Sequence, residues 1–295
     1  MKLAPIVLFV YNRPLHTMQT VKALQQNELA KESELFIYSD APANEKSVLK
    51  VNEVRSFIKS IEGFNKITII ERAENWGLAD SIIAGVTEIV NKYGKIIVLE
   101  DDLVTSPMFL KFMNEALEMY RDEDTVASIH GYVYPINDLP NTFFLKGADC
   151  WGWATWARAW KLFEPDGRKL LKEIERRNLK KEADFNHSYA LTKMLKNQIH
   201  GKNSSWAIRW FMSTFLKDKL TLYPGKSFVQ NMGNDSSGRH SGVSDNYLVL
   251  LSKEYKMQRI EIKEDDSARQ GFEIFFKSLK KGFLNRLKIK IQELL

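Results

Sequence analysis

The chain of 295 residues is 44% apolar and 27% charged, enough to bury a large core, and it has no proline-, glycine- or serine-rich tract that composition would mark as disordered. Its single cysteine, Cys150, excludes an intrachain disulfide and a cysteine-built zinc site, which points to a reducing compartment, the cytoplasm. The net charge of +6 is concentrated at the end, where residues 272–295 hold six Lys/Arg against two Glu, so the excess marks a tail and speaks against nucleic acid as a partner.

The first hundred residues alternate short apolar runs with amphipathic stretches, the pattern of βαβ units and a mostly parallel sheet flanked by helices, an α/β fold. The first apolar run, Ile6–Val10, is too short for an export signal or a membrane span and reads as a strand. A helix begun at Pro14 follows, with Leu15, Met18, Val21 and Leu24 on one face. Leu35–Ser39 leads to a helix carrying Val48, Val51, Val54 and Ile58; Ile67–Ile70 leads through Asn75-Trp76-Gly77 to one carrying Ile82, Val86 and Ile89. A fourth strand, Ile96–Leu99, runs into Glu100-Asp101-Asp102.

In an open parallel sheet a ligand lies outside the carboxyl ends of the strands, so the residues after each strand carry the chemistry. Here they are Tyr11-Asn12-Arg13, Asp40, Asn75-Trp76 and Glu100-Asp101-Asp102. Two other acidic triplets, Asp122-Glu123-Asp124 and Glu264-Asp265-Asp266, show that three adjacent acids are not rare in this composition. Only the first follows a continuous apolar run of the kind buried on both faces; Arg259–Lys263, before the last, alternates like a half-exposed strand. Carboxylates at such a place suit a hard divalent cation, Mn²⁺ or Mg²⁺, held together with substrate phosphates. The alternative is a solvated turn ahead of the helix started at Ser106-Pro107. Arg13 is in place either as a cation for the phosphates or as a surface arginine at a helix start.

Beyond residue 125 the alternation decays into short strands (Val126–His130, Phe143–Leu145) and helices near 167–176, 183–198 and 206–217. Six of the seven tryptophans lie between 151 and 210, and Trp153, Trp156 and Trp160 share one face if the segment is helical. That face reads as core, with Trp151 or Trp206 at its edge as a place for a sugar ring to stack. The organisation expected is a donor-binding part over 1–125, an acceptor-side part of the same domain over 126–250, and an extension over 251–295. The extension places Phe272, Phe276, Leu279, Phe283, Leu287 and Leu294 along a basic helix, which serves either an anionic membrane surface or docking on the core.

These residues resemble the GT-A glycosyltransferases, and within them bacterial relatives of the N-acetylglucosaminyltransferase I group, over about residues 5–242. The marks are Val10-Tyr11-Asn12-Arg13-Pro14, Tyr38-Ser39-Asp40, Asn75-Trp76-Gly77-Leu78, Val98–Leu103 with Ser106-Pro107 and Phe109, and Trp151-Gly152-Trp153. The resemblance implies a GT-A, Rossmann-like fold and transfer of a sugar from a nucleotide sugar, UDP-linked in first place, to a glycan or lipid-linked glycan in cell-surface polysaccharide synthesis. It implies that Asp40 reads the base, Arg13 meets the diphosphate beside Tyr11 and Asn12, Trp76 lines the nucleotide pocket, Asp101 touches ribose or metal, and Asp102 is the main metal ligand. His240, in a closing loop at 234–242, is a further ligand candidate.

Where the animal members carry a tryptophan-flanked acidic pair as base, this chain has Ser205-Trp206-Ala207-Ile208-Arg209-Trp210, with no carboxylate. An inverting transfer needs a carboxylate base; Asp149 is the first candidate and Asp235 the second, each also readable as a cap or turn residue, and a retaining reaction dispenses with one. The rival activities are a sugar-1-phosphate nucleotidyltransferase, which lacks support because no glycine-rich loop follows the first strand, and a non-catalytic glycan-binding protein on a transferase scaffold.

Overall fold

Strands form where the apolar runs are, and helices form between them. The computed structural model describes residues 2–233, 235 and 245–292. In chain order the elements are β1 (Ile6–Val10), α1 (Pro14–Gln25), β2 (Glu34–Ser39), α2 (Glu45–Ile58), β3 (Lys66–Glu71), α3 (Gly77–Tyr93), β4 (Lys95–Glu100), β5 (Leu103–Thr105), α4 (Phe109–Met119) and β6 (Val126–His130). There follow β7 (Thr142–Lys146), β8 (Trp153–Trp156), α5 (Ala157–Trp160), α6 (Gly167–Arg176), α7 (Lys180–Ala183), α8 (Leu191–Ile199), α9 (Trp206–Phe215), β9 (Leu220–Pro224), β10 (Val229–Asn231) and α10 (Asp266–Gln292).

One eight-stranded sheet runs in the order β3-β2-β1-β4-β8-β6-β9-β7. Strands β1 to β4 are mutually parallel, β8 is antiparallel to both β4 and β6, and β6 is parallel to β9. It follows that β6 and β9 point the same way as β4, and their carboxyl ends share its rim. Side chains of the central strands are buried on both faces. Ile6, Leu8 and Val10 enter one core with α1, α2 and α4, while Val7 and Phe9 enter a second core with α3 and α9. A separate two-stranded ribbon pairs β5 with β10.

The tryptophan segment is the clearest departure from the helical expectation. Trp153–Trp156 is a strand, wedged between β4 and β6. Three residues apart, the two side chains then fall on opposite faces, Trp156 into the first core and Trp153 into the second beside Trp160, Trp206 and Trp210. Two central neighbours offering ladder hydrogen bonds override the helical spacing. Arg259–Lys263, expected to alternate as a strand, forms none, and Leu15, expected on the buried face of α1, is exposed, that face being Thr17, Thr20, Val21 and Leu24.

The three acidic triplets have three settings. Asp122 pairs with Arg121 on the surface, Asp265 caps α10 by accepting from the Ala268 N–H at 2.8 Å, and only Glu100-Asp101-Asp102 ends a central strand. Helix α10 settles part of the membrane question for residues 266–280. Ala268, Phe272 and Phe276 are buried against Tyr134, Phe143, Phe185 and Tyr223, so those apolar positions are spent on the core. No helix among the described residues is long and apolar enough to cross a membrane. Replacing Phe272 by Ala is expected to cost about 3–4 kcal/mol through lost burial and the cavity left behind, read as a lowered midpoint in urea unfolding.

Candidate functional site

The site begins with Arg13. Pro14 opens α1 and keeps the preceding residue out of the helical region, so Arg13 is non-helical (φ −119°, ψ 76°) and its side chain reaches toward the end of β4. The guanidinium is forked between two carboxylates, one arm on Asp101 and the other on Asp102 Oδ2 at 2.9 Å. Burial alone would pull Arg13 down, but Asp101 and Asp102 outweigh it and hold the cation above its usual range. Thr20, buried on α1, donates its hydroxyl to the Asp101 carbonyl at 2.8 Å and ties helix to strand end.

Three carboxylates share this one guanidinium. Burial, then the charges of Asp102 and Asp101, push Glu100 up to about 8, and burial also raises Asp101 against the pull of Arg13. The cluster therefore has more acid than its own cation neutralises. Asp102 lies nearest the opening; Met232 N–H donates to its carbonyl at 2.8 Å, and a Cβ on Gly233 would collide with its carboxylate. Only a residue without a side chain leaves Asp102 uncovered there. Among the described residues no three His, Cys, Asp or Glu side chains converge as a ready cation cage. An all-oxygen set of one or two carboxylates completed by phosphates is the manner in which Mg²⁺ and Mn²⁺ are commonly held, and Asp102 with Asp101 fits it.

Asp40 sits after β2 as expected, but its oxygens are already engaged. They accept N–H donors from Ala41 (2.9 Å), Trp76 (2.9 Å) and Gly77 (2.8 Å) and the Asn75 amide (3.1 Å). A carboxylate has about four lone-pair sites, so this one shapes the loop instead of offering a free acceptor to a base. The loop presents Trp76, 44% exposed, with the Arg72 guanidinium stacked 3.8 Å over its ring. Tyr11 accepts the Ala43 N–H at 3.0 Å, and Asn12 stands half-buried between Tyr11 and Arg13.

The second half of the sheet delivers Asp149 to the same rim. Because Val98 pairs with Trp153, the residues just before Trp153 pass over the carboxyl end of β4. Gly152 makes this possible: at φ +67°, a Cβ there would strike Val229. Cys150 lies between, its thiol pushed up by burial first, then by Asp149, Glu100 and Asp102. Asp149 caps no helix; it accepts its neighbour's N–H, from Cys150, at 2.9 Å and precedes a strand. Trp151 stays half-buried against Tyr132 and Tyr247, whereas Trp206 is stacked on Trp153 inside the core and has no face for a sugar.

Asp235, the other candidate base, meets His16 of α1 at 3.1 Å. His240 lies outside the described residues. His16, Thr20, Arg72, His130 and Gly233 were not singled out from the sequence. His16 had a signal, one turn after Arg13 on the helix that opens the site; Gly233 had none, because its role depends on the β5–β10 pairing.

Residues 6–197 match the family described as Glycosyl transferase family 2. No curated protein matches the sequence at a significant level. Among solved structures, the chain is similar to the mannosyltransferase PcManGT from Pyrobaculum calidifontis, in complex with GDP-Man and Mn²⁺, at 14% identity over 46% of this chain and 39% of that one, with a TM-score of 0.32. It is also similar to S. aureus TarS, at 12% identity over 76% of this chain and 36% of that one (TM-score 0.42), and to TarS 1-349 in complex with UDP, at 13% identity over 59% and 49% (TM-score 0.36). The chain thus spans less than half the length of each of these three.

Arg13→Ala leaves the buried Asp101 and the half-buried Asp102 without their cation and is expected to destabilise the fold by about 3 kcal/mol, measured by chemical denaturation. Glu100 titrates near 4.5 when unfolded and about 8 in the fold, so the folded state holds the extra proton between those values. Its contribution to stability is complete below pH 4.5 and is lost as the pH rises toward 8. In EDTA-treated protein, Glu100→Gln should flatten that part of the stability–pH curve; an unchanged slope would contradict the assignment.

Proposed function

The chain belongs to glycosyl transferase family 2, and from that premise we propose that it moves a sugar from a nucleoside diphosphate, a UDP-sugar in first place, to a hydroxyl of a glycan or lipid-linked glycan. The observation that carries this reading is the acid cluster at the carboxyl end of β4, with more carboxylate than Arg13 neutralises and Asp102 left open by Gly233.

In this proposal the nucleotide lies along the rim from Trp76 to Arg13, with the base against Trp76 on the loop that Asp40 braces. Asp102, with Asp101, would hold a divalent cation that neutralises charge building on the departing diphosphate. Arg13 keeps Asp101 and Asp102 fixed in position and supplies the permanent positive charge beside them.

Asp149 is the proposed base, in an inverting displacement. Unlike Asp101 and Asp102 it has, among the described residues, no lysine or arginine within ion-pair distance, and it stands across Cys150 from the acid cluster. The acceptor O–H proton passes to Asp149, the oxygen's electron pair forms the bond to the sugar's anomeric carbon, and the bond to the diphosphate breaks with its electrons leaving on phosphate. Trp151 and Tyr247 offer flat faces for the acceptor sugar beside this carboxylate.

Kinship with the N-acetylglucosaminyltransferase I group and a role in surface polysaccharide synthesis rest on the motifs named above and remain part of this proposal. So does an anionic membrane surface as a partner of residues 272–295. A panel of nucleotide sugars, each tested with Mn²⁺ for thermal stabilisation, would name the donor. Asp102→Ala should abolish the Mn²⁺-dependent part of that shift and lower UDP-sugar turnover by on the order of 100-fold or more. Full turnover by Asp102→Ala would overturn the metal assignment, and no turnover by the wild type on any donor would favour a glycan-binding scaffold.

A further inference from the structure

His130 ends β6 on the rim of the proposed acceptor side. Its side chain is fully buried, and neither ring nitrogen has a hydrogen-bond partner. Buried polar groups are almost always paired, so an orphaned imidazole calls for an explanation. Nε2 lies 3.9 Å from Asp149 Oδ2, just beyond hydrogen-bond reach, while the other oxygen of Asp149 accepts the Cys150 N–H.

The groups around this pair narrow the possibilities. His130 packs on Tyr223 of β9 and Tyr132 of the following loop, with ring centroids 5.1 and 6.5 Å away. Around Asp149 stand Tyr132, Tyr134, Tyr189, Tyr223 and the Cys150 thiol, with Glu100 and Asp102 beyond Cys150. Burial first, with Asp149's charge adding to it, pushes these hydroxyls and the thiol up, so they stay neutral. Burial pushes His130 down to about 4, so the imidazole is also neutral and carries one N–H and one lone pair. Asp149 is the carboxylate it faces.

We infer that His130 is the positioning residue for Asp149: when the carboxylate turns toward an acceptor, the imidazole Nε2–H donates to Oδ2, which fixes the side chain's rotation and leaves the other oxygen to take the proton. A shift of less than 1 Å closes the contact, and catalytic hydrogen bonds are often long before substrate binds. The inference rests on Asp149 being the base. It adds what the acid cluster does not supply, an orienting dipole on the acceptor side that brings no cation to weaken the base.

The test separates the two ideas. Long-range ¹H–¹⁵N spectra of the imidazole, assigned with His130→Gln, report tautomer and hydrogen bonding without any turnover. Asp149→Asn should shift the His130 signals; identical signals in wild type and Asp149→Asn would overturn the contact. In parallel, hydrolysis of UDP-N-acetylglucosamine and UDP-glucose, with water as acceptor, is followed against pH. His130→Phe should lower kcat roughly tenfold, the worth of one hydrogen bond to an ionised group, with KM for the donor within about twofold. Removing a donor from the ionised form raises the base's pKa, so the acid limb should move up by about one unit.

His130→Gln, which keeps an N–H donor, should recover most of the rate and return the limb. Equal damage by both variants with an unmoved limb would mean that His130 only fills space. Full activity in Asp149→Asn would instead overturn the base assignment, and the spectra would still report whether the two side chains meet. If His130→Phe fails to fold, the glutamine variant and the spectra decide.

Discussion

The fork of Arg13 between Asp101 and Asp102 is the interaction on which the rest of the site depends. Three carboxylates at the end of one strand repel each other, and burial makes Glu100 and Asp101 costlier to ionise. A single guanidinium, pre-organised and always charged, pairs with two of them and relieves the third only in part, so Glu100 still stands at about 8. Such a cluster is stable enough to fold and still electrostatically short of positive charge. That shortage is the physical basis for proposing a cation and a diphosphate there.

Two backbone features let that cluster face a second carboxylate. The β5–β10 ribbon draws Met232 and Gly233 onto Asp102, and the antiparallel insertion of β8 beside β4 carries Asp149 and Cys150 over the same rim. Neither approach tolerates bulk: Gly233 and Gly152 stand where a side chain would meet Asp102 or Val229. The aromatic second core, built on Trp153, Trp160, Trp206 and Trp210, supports β8 from beneath. These four tryptophans thus serve placement, while Trp151 is half-buried and Trp76 exposed.

Much of the first hundred residues was legible because the signals there are local. A parallel strand buried on both faces must be a continuous apolar run, so β1 and β4 could be read within a residue of their ends, and the polar residues after them had to lie on one rim. The part beyond residue 125 was less legible. Trp153–Trp156 has helical spacing and becomes a strand because two partners flank it, and Arg259–Lys263 alternates like a strand but finds none. The amphipathic pattern of α10 was visible; what its apolar face covers was not, since Phe143, Phe185 and Tyr223 come from distant parts of the chain.

Residue type and order by themselves determined the α/β class, the four strand-end loops and which of three acidic triplets ends a central strand, because each follows from periodicity and from what a buried strand requires of its neighbours. The tertiary structure decided how those groups are spent. Asp40's oxygens go to the loop of Asn75, Trp76 and Gly77, Arg13's two arms go to the acid pair, and His130, unmarked in the sequence, comes to rest beside Asp149. Hydrogen-bond partners and desolvation are set by segments tens of residues apart, and pairings of that kind leave no local trace in a sequence.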